Sequence, residues 1–246
     1  MALYILFDTE TTGNQADDRI IQIGGMILRG NSQIDIYSEL CLADVPIKVE
    51  AMEVHHITPD IIADKPPLTQ TDFYKKITQY NQKENYLIAH NITFDLGMLT
   101  KEGFENCYTL IDTVRCAKHL FAELPYHRLQ YLRYSLGLYR QEQSEADKLG
   151  ITIKAHDAIG DVLIMKLLLS KIVERAKERF PGTDVMQKLT ELTNTPVLMH
   201  YFKFGKYKER LIEEIAREDR GYLLWMRKNL ELDEDLSYTL EYYLNS

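Results

Sequence analysis

The chain has 246 residues and a mass of 28.7 kDa, the size of one large domain or of one domain with a small appendage. With 45% hydrophobic and 27% charged residues it is neither disordered nor collagen-like, and no apolar run reaches the roughly 18 residues of a membrane span. A net charge of −8 leans against a nucleic-acid binder held by bulk charge alone, although a site that binds metal cations must itself be acidic.

The N-terminal string M-A-L-Y-I-L-F-D lacks a basic segment and meets a charge at Asp8, so no signal peptide is expected. Three cysteines, Cys41, Cys107 and Cys116, are an odd count without C-x-x-C spacing. They argue against a disulfide framework and a zinc ribbon, and for a reducing cytoplasm.

Residues 4–8 read as a short buried strand. Residues 19–29 and 33–42 are strand-like, and Gly30-Asn31-Ser32 between them is a hairpin turn signal. The chain therefore opens as a three-stranded antiparallel meander. Helical spacing follows over 68–81 and 96–103, with a strand at Tyr86–Ala89 between them. A further strand is expected at Thr109–Asp112, then helices near 113–122 and 128–136. A long amphipathic helix spans about Ala158 to Arg179, with Ile159, Val162, Leu163, Met165, Leu167 and Leu168 on its apolar side. Strands followed by alternating strand and helix indicate an α/β fold with a mixed sheet.

Three domain segments are expected: a main domain over 1–180, a connector over 181–196, and a small module over 197–246. The module is aromatic and basic. Residues 201–230 hold eight Lys+Arg against five Asp+Glu, whereas 231–246 hold five acids and no base. Tyr222 and Trp225 are expected to lie in its core.

Three strings carry chemistry. In F-D-T-E-T-T-G, residues 7–13, Asp8 and Glu10 project from one strand face, because residues i and i+2 point the same way. That strand end is where ligands bind in open α/β sheets. Adjacent carboxylates repel unless protonated or bridged, and their hard oxygens suit Mg2+ or Mn2+. In A-H-N-I-T-F-D, residues 89–95, Asp95 falls in the first turn of a helix, where an acid also suits the helix dipole. In A-H-D-A-I-G-D, residues 155–161, Asp157 is the expected N-cap, Asp161 lies one turn into the helix, and His156 lies just before it. Together they supply four carboxylates from three segments, a charge of −4 that two divalent cations balance.

At these residues the sequence resembles the DnaQ-like 3′–5′ exonucleases of the DEDDh type. F-D-T-E-T-T-G matches that family's first motif, H-N-x-x-F-D its second and H-x-A-x-x-D its third; A-M-E-V-H-H-I-T (51–58) matches the segment between the first two. The resemblance covers about residues 1–175. It implies a ribonuclease H-like fold, a five-stranded mixed sheet flanked by helices. It further implies that Asp8, Glu10, Asp95 and Asp161 are catalytic ligands of two Mg2+ ions, with Mn2+ as a substitute, and that His156 is the general base. Thr11, His56, Ile57, Asn91 and Phe94 fall where the family holds the terminal nucleotide. Residues 202–228 are similar to the small C-terminal module of the exodeoxyribonuclease X-like branch, with Arg220 where that branch is expected to have proline.

The implied activity is release of nucleoside 5′-monophosphates from DNA 3′ ends, single-stranded or duplex, in repair or degradation. The alternatives are a proofreading exonuclease like the epsilon subunit of polymerase III, an RNA-trimming enzyme, or a silent nucleic-acid-binding scaffold. The F-G-K-Y module argues against the first two, and the intact ligand set against the last.

Overall fold

The computed structural model describes residues 2–30, 33–153 and 157–245. Asn31 and Ser32 of the expected turn, and His156, lie outside the described residues. The chain opens with β1 (Tyr4–Thr11), β2 (Ile20–Leu28) and β3 (Ile34–Leu40), paired antiparallel in sequence order. Short helices α1 (Val49–His55) and α2 (Pro59–Ile62) follow, then α3 (Asp72–Gln79). β4 (Tyr86–Ala89) pairs parallel with β1, and after α4 (Ile92–Lys101), β5 (Thr109–Asp112) pairs parallel with β4. The result is one mixed sheet of five strands in the order β3-β2-β1-β4-β5.

Helices α5 (Thr113–Leu120), α6 (Leu129–Ser135), α7 (Tyr139–Leu149), α8 (Ala158–Arg179) and α9 (Val185–Thr193) complete the sheet unit. The expected helix over 68–81 is broken. Thr71 adopts extended backbone, and its side chain accepts the Tyr74 N–H as an N-cap, so α3 starts afresh after a 3-10 turn at Leu68–Gln70.

Strand alternation divides the core in two. Ile5 and Phe7 of β1 join Phe73, Ile77, Met98 and Leu99 of α3 and α4 on one face. Leu6 joins Val162, Leu163 and other residues of α5, α6 and α8 on the other. Leu189 and Leu192 of α9, in segment 181–196, are buried in this second core, and Thr193 Oγ1 accepts from the Asp112 N–H at 3.0 Å.

The third core lies C-terminal. Phe202 packs with Ile212 and Ile215 of α10 (Ile212–Glu218), Leu223 and Met226 of α11 (Arg220–Asn229), and Leu236 and Leu240 of α12 (Glu234–Asn245). Trp225 departs from expectation. It is 50% exposed and lies over the Tyr222 ring with centroids 5.9 Å apart, because Leu223 and Met226 occupy the inward face of α11. Arg220 keeps the local turn intact. It takes the first helical position, where proline would be tolerated for its missing N–H, and its guanidinium donates to the Leu244 carbonyl.

The pair Gly24-Gly25 on β2 sets the layer spacing. Gly24 stands opposite Asp8, and a Cβ there would lie 2.6 Å from the Ala158 carbonyl carbon and the Ile159 nitrogen. The start of α8 therefore rests on bare backbone beside Asp8. A Cβ on Gly25 would enter the Phe73 ring on the opposite face. Gln22, two residues before Gly24, donates from Nε2 to Asp157 Oδ1 at 2.6 Å and accepts the Ala158 N–H at 3.3 Å.

Gly24→Ala is expected to push α8 off the sheet, costing about 1–3 kcal/mol as an overpacking substitution. Gly97→Ala, in α4 with nothing within 4 Å of its added Cβ, is expected to stabilise by about 0.4–1 kcal/mol. Chemical denaturation of the two variants checks the contrast.

Candidate active site

Asp8 and Glu10 lie on β1 with Leu6 on the strand face that meets α8, so the alternation that buries Leu6 also aims both acids towards Asp161. Their ionisation records the crowding. Asp8 is raised well above the ordinary carboxylate range by burial first, then by Asp95, Asp161 and Glu10. Glu10 is pushed up to about 8 by burial, then by Asp161, Asp95 and Asp157. Three segments thus bring their acids to one end of β1.

Neutral donors hold two of these acids. Asp95, 3% exposed, accepts from both the Thr9 N–H (3.1 Å) and Thr9 Oγ1 (2.6 Å). Burial lifts its pKa to about 7, although the two Thr9 bonds work in the opposite direction. Asp161 accepts from Gln130 Nε2 at 2.8 Å. Gln130 Oε1 in turn accepts from Arg133 at 3.1 Å, and Arg133 is held by the buried Glu142 carboxylate in a two-pronged pair. Asp157 stands at the N-cap position of α8 without capping it, because its carboxylate is taken by Gln22.

Among the described residues, no three acidic or histidine side chains stand close enough together to hold one ion as they are placed. Asp95 is turned onto Thr9 and Asp161 onto Gln130. The donor set nonetheless fits hard divalent cations: oxygen ligands only, mutually repelling, with raised pKa values that a cation would bring down.

The residues expected around a terminal nucleotide fall as follows. Asn91, exposed, takes the left-handed conformation at φ 75° before α4, and its N–H donates to Asp112 Oδ1 at 3.1 Å. Phe94, in the first turn of α4, is 37% exposed. Thr11 is buried, and its hydroxyl donates to the Gly13 carbonyl at 2.7 Å. His56 ends α1 in the left-handed region and is exposed. Ile57 is 6% exposed and packs with Ile21, Ile47 and Ile62.

The neighbouring His55 escapes sequence reasoning. It is buried, its Nδ1 accepts from the Ile57 N–H at 3.0 Å, and its Nε2 donates to the Thr11 carbonyl at 3.2 Å. Burial lowers its pKa, which keeps this neutral tautomer and ties α1 to the strand end that carries Glu10. The only sequence signal was the H-H pair itself. His90 is similar. It donates to the His127 carbonyl at 2.9 Å, lies 2.9 Å from Thr113 Oγ1, and is lowered to about 4 by burial.

Residues 5–169 match the exonuclease family model, and residues 202–231 match the exodeoxyribonuclease X-like C-terminal family. The chain is 30% identical to exodeoxyribonuclease 10 of Escherichia coli K12, covering 98% of both chains. It is 32% identical to the DNA polymerase III subunit epsilon of Treponema pallidum, covering 71% of this chain and 79% of that one. In structure it is similar to exonuclease X bound to a 5′-overhanging duplex DNA, with a TM-score of 0.53 at 24% identity, covering 78% of this chain and 99% of that one.

In an unfolded chain these carboxyls titrate near about 4, whereas the folded chain keeps Asp95 protonated to about 7 and Glu10 to about 8. The folded state therefore binds more protons in that window, and the metal-free protein loses stability as pH rises through it. The melting temperature of metal-free protein is expected to fall from pH 5 to pH 8. Asp8→Asn should raise it at pH 8, and Mg2+ or Mn2+ should raise that of the wild type. A flat or rising metal-free profile would contradict the crowding.

Proposed function

The chain belongs to the exonuclease family and joins to it an exodeoxyribonuclease X-like C-terminal region, and from that premise we propose that it is a 3′–5′ exodeoxyribonuclease releasing nucleoside 5′-monophosphates. The observation that carries this reading is the gathering of Asp8, Glu10, Asp95 and Asp161 from three segments at one end of β1, where Asp95, Asp161 and Glu10 each raise the ionisation cost of Asp8. Members of the family use divalent metal ions. Here the four carboxylates would hold two Mg2+ ions, with Mn2+ as a substitute. The ions would polarise the scissile phosphate and lower the pKa of water, so that it gives up a proton near neutral pH.

The protein's own residues supply the rest. His156 accepts the proton of the attacking water; an unperturbed imidazole pKa of about 6.5 suits a base near neutral pH. Its assignment rests on the H-x4-D spacing to Asp161. Thr9 and Gln130 orient the carboxylates of Asp95 and Asp161. Phe94 offers a ring face to the terminal base, and Asn91, His56 and the Thr11 strand end frame the nucleotide, with Ile57 behind them as apolar support.

DNA repair or degradation is favoured over proofreading. The polymerase subunit covers 71% of this chain, whereas exodeoxyribonuclease 10 covers 98%. The similarity to a bacterial exodeoxyribonuclease supports a cytoplasmic site of action, where bacterial DNA lies; among the described residues no helix is long and apolar enough to cross a membrane. The catalytic unit comprises the sheet unit through α9, since Leu189 and Leu192 complete its core.

Purified protein should degrade 3′-labelled single-stranded or duplex DNA in Mg2+, stop in chelator, and leave RNA largely intact. Asp8→Ala should abolish cleavage, and His156→Ala should lower the rate by about 10²–10⁴. RNA cleaved in preference to DNA would replace this reading with RNA trimming. Full activity in Asp8→Ala would remove the metal-site assignment.

A further inference from the structure

We propose that the cleft between the sheet unit and the C-terminal helices is a track for single-stranded nucleic acid behind the 3′ end, a proposal that rests on the exonuclease reading above. The cleft has a volume of about 580 Å3. The loop after α5 forms one wall, and residues 197–203 with 208–209 form the other.

Two exposed rings stand on opposite walls, Tyr126 at 46% and Tyr201 at 41% exposure. Aromatic faces are the sequence-tolerant platform on which unstacked bases lie, and only a single strand offers such bases. The charges at the cleft suit a backbone beside those bases. Asp235 is engaged by Arg115 and Lys118, and Glu123 by Arg175, which leaves Lys203, Lys208 and Glu209 as the Lys, Asp or Glu residues of the lining outside these pairs. Among the described residues neither lysine forms an ion pair. The Lys203 side chain is exposed, yet the walls and then Lys118 lower its pKa. An anion set there would relieve that cost. Two such cations suit a short stretch of single strand better than a duplex, whose binding draws on many phosphate contacts.

Position ties the cleft to the reaction. The loop that carries Tyr126 and His127 on the cleft wall continues to Gln130, which holds Asp161. Gln130 lies three positions after His127, at most about 11 Å along an extended chain. His127 is also pinned by His90, the neighbour of Asn91. A strand whose 3′ end lies at the four carboxylates therefore reaches the cleft within a few nucleotides.

The test compares dT4 and dT16. Wild type and the variants Tyr126→Ala, Tyr201→Ala and Lys203→Ala/Lys208→Ala are assayed for cleavage of both in Mg2+. Binding of labelled dT16 is followed by anisotropy in chelator across a salt series. Each tyrosine variant should raise KM and Kd for dT16 by about 5- to 100-fold, the loss of one stacked base, with kcat and dT4 cleavage unchanged. The lysine pair should lower the salt slope of dT16 binding by about 1.4, or 0.7 per lost phosphate contact. Should a tyrosine variant melt early, the exposed lysine pair decides. Unchanged dT16 affinity and salt slope, with wild-type dT4 cleavage, would overturn the track and assign the cleft to another occupant such as a protein segment. A wild type that cleaves neither oligonucleotide would overturn the exonuclease reading itself, and the track with it.

Discussion

Mutual repulsion among four carboxylates is the constraint around which this structure is arranged. Asp8 is crowded by three other acids at once, and Glu10 by Asp161, Asp95 and Asp157. Among the described residues, no Lys or Arg forms an ion pair with Asp8, Glu10 or Asp95. A basic partner would stabilise the metal-free fold, but it would also neutralise the charge that attracts a cation. The fold instead uses neutral donors: Thr9 on Asp95, Gln130 on Asp161, Gln22 on Asp157. An amide or hydroxyl orients a carboxylate while leaving its charge in place. The cationic Arg133 is paired with Glu142 and donates to Gln130, the residue whose amide holds Asp161.

The same constraint explains the close approach at Gly24. Asp161 stands one turn into α8, so it meets Asp8 only if the start of that helix lies directly against the sheet. The absent side chain at Gly24 gives that closeness, and Gln22 fixes the helix start by holding both Asp157 and the Ala158 N–H. Two adjacent positions of β2, Gly24 and Gly25, thus set the height of a helix on each face, α8 above one and Phe73 of α3 above the other.

The parts of the fold legible in the sequence are those where one local signal suffices. β4 at Tyr86–Ala89, β5 at Thr109–Asp112 and α8 at Ala158–Arg179 coincide with the expected spans, because apolar runs and a 3.6-residue stripe mark them directly. The charged helix α7 escaped, since only Glu142 and Ala146 of its eleven residues are buried and its pattern reads as solvated chain. Burial of Glu142 makes sense only with Arg133 beside it, a tertiary fact. The acids of the site were legible because their chemistry is rare in that order. The residues that support them were not: Thr9, Gln22 and Gln130 hold carboxylates and His55 holds the Thr11 carbonyl, all ordinary polar residues with partners up to 136 positions away. His156, the base expected from the motif, falls outside the described residues.

The uneven charge of the C-terminal region acquires a physical reading from the docking of α12. In the acidic stretch after residue 230, Asp235 is 9% exposed, caught between Arg115 and Lys118 of α5 at 3.2 and 3.3 Å, and accepts the Val197 N–H. These bonds keep its carboxyl below the ordinary range although burial opposes them. One acid of the tail thus cancels cations on the sheet unit, while Lys203 and Lys208 in the preceding basic stretch keep theirs. The helix it grips begins at Asp112, whose side chain caps α5 and also accepts the N–H of Asn91 in its left-handed conformation. A single rigid helix therefore has the C-terminal module at one set of side chains and the turn leading to Asp95 at its N-terminus. Loss of the module would leave Arg115 and Lys118 as uncompensated cations on the helix that anchors this turn.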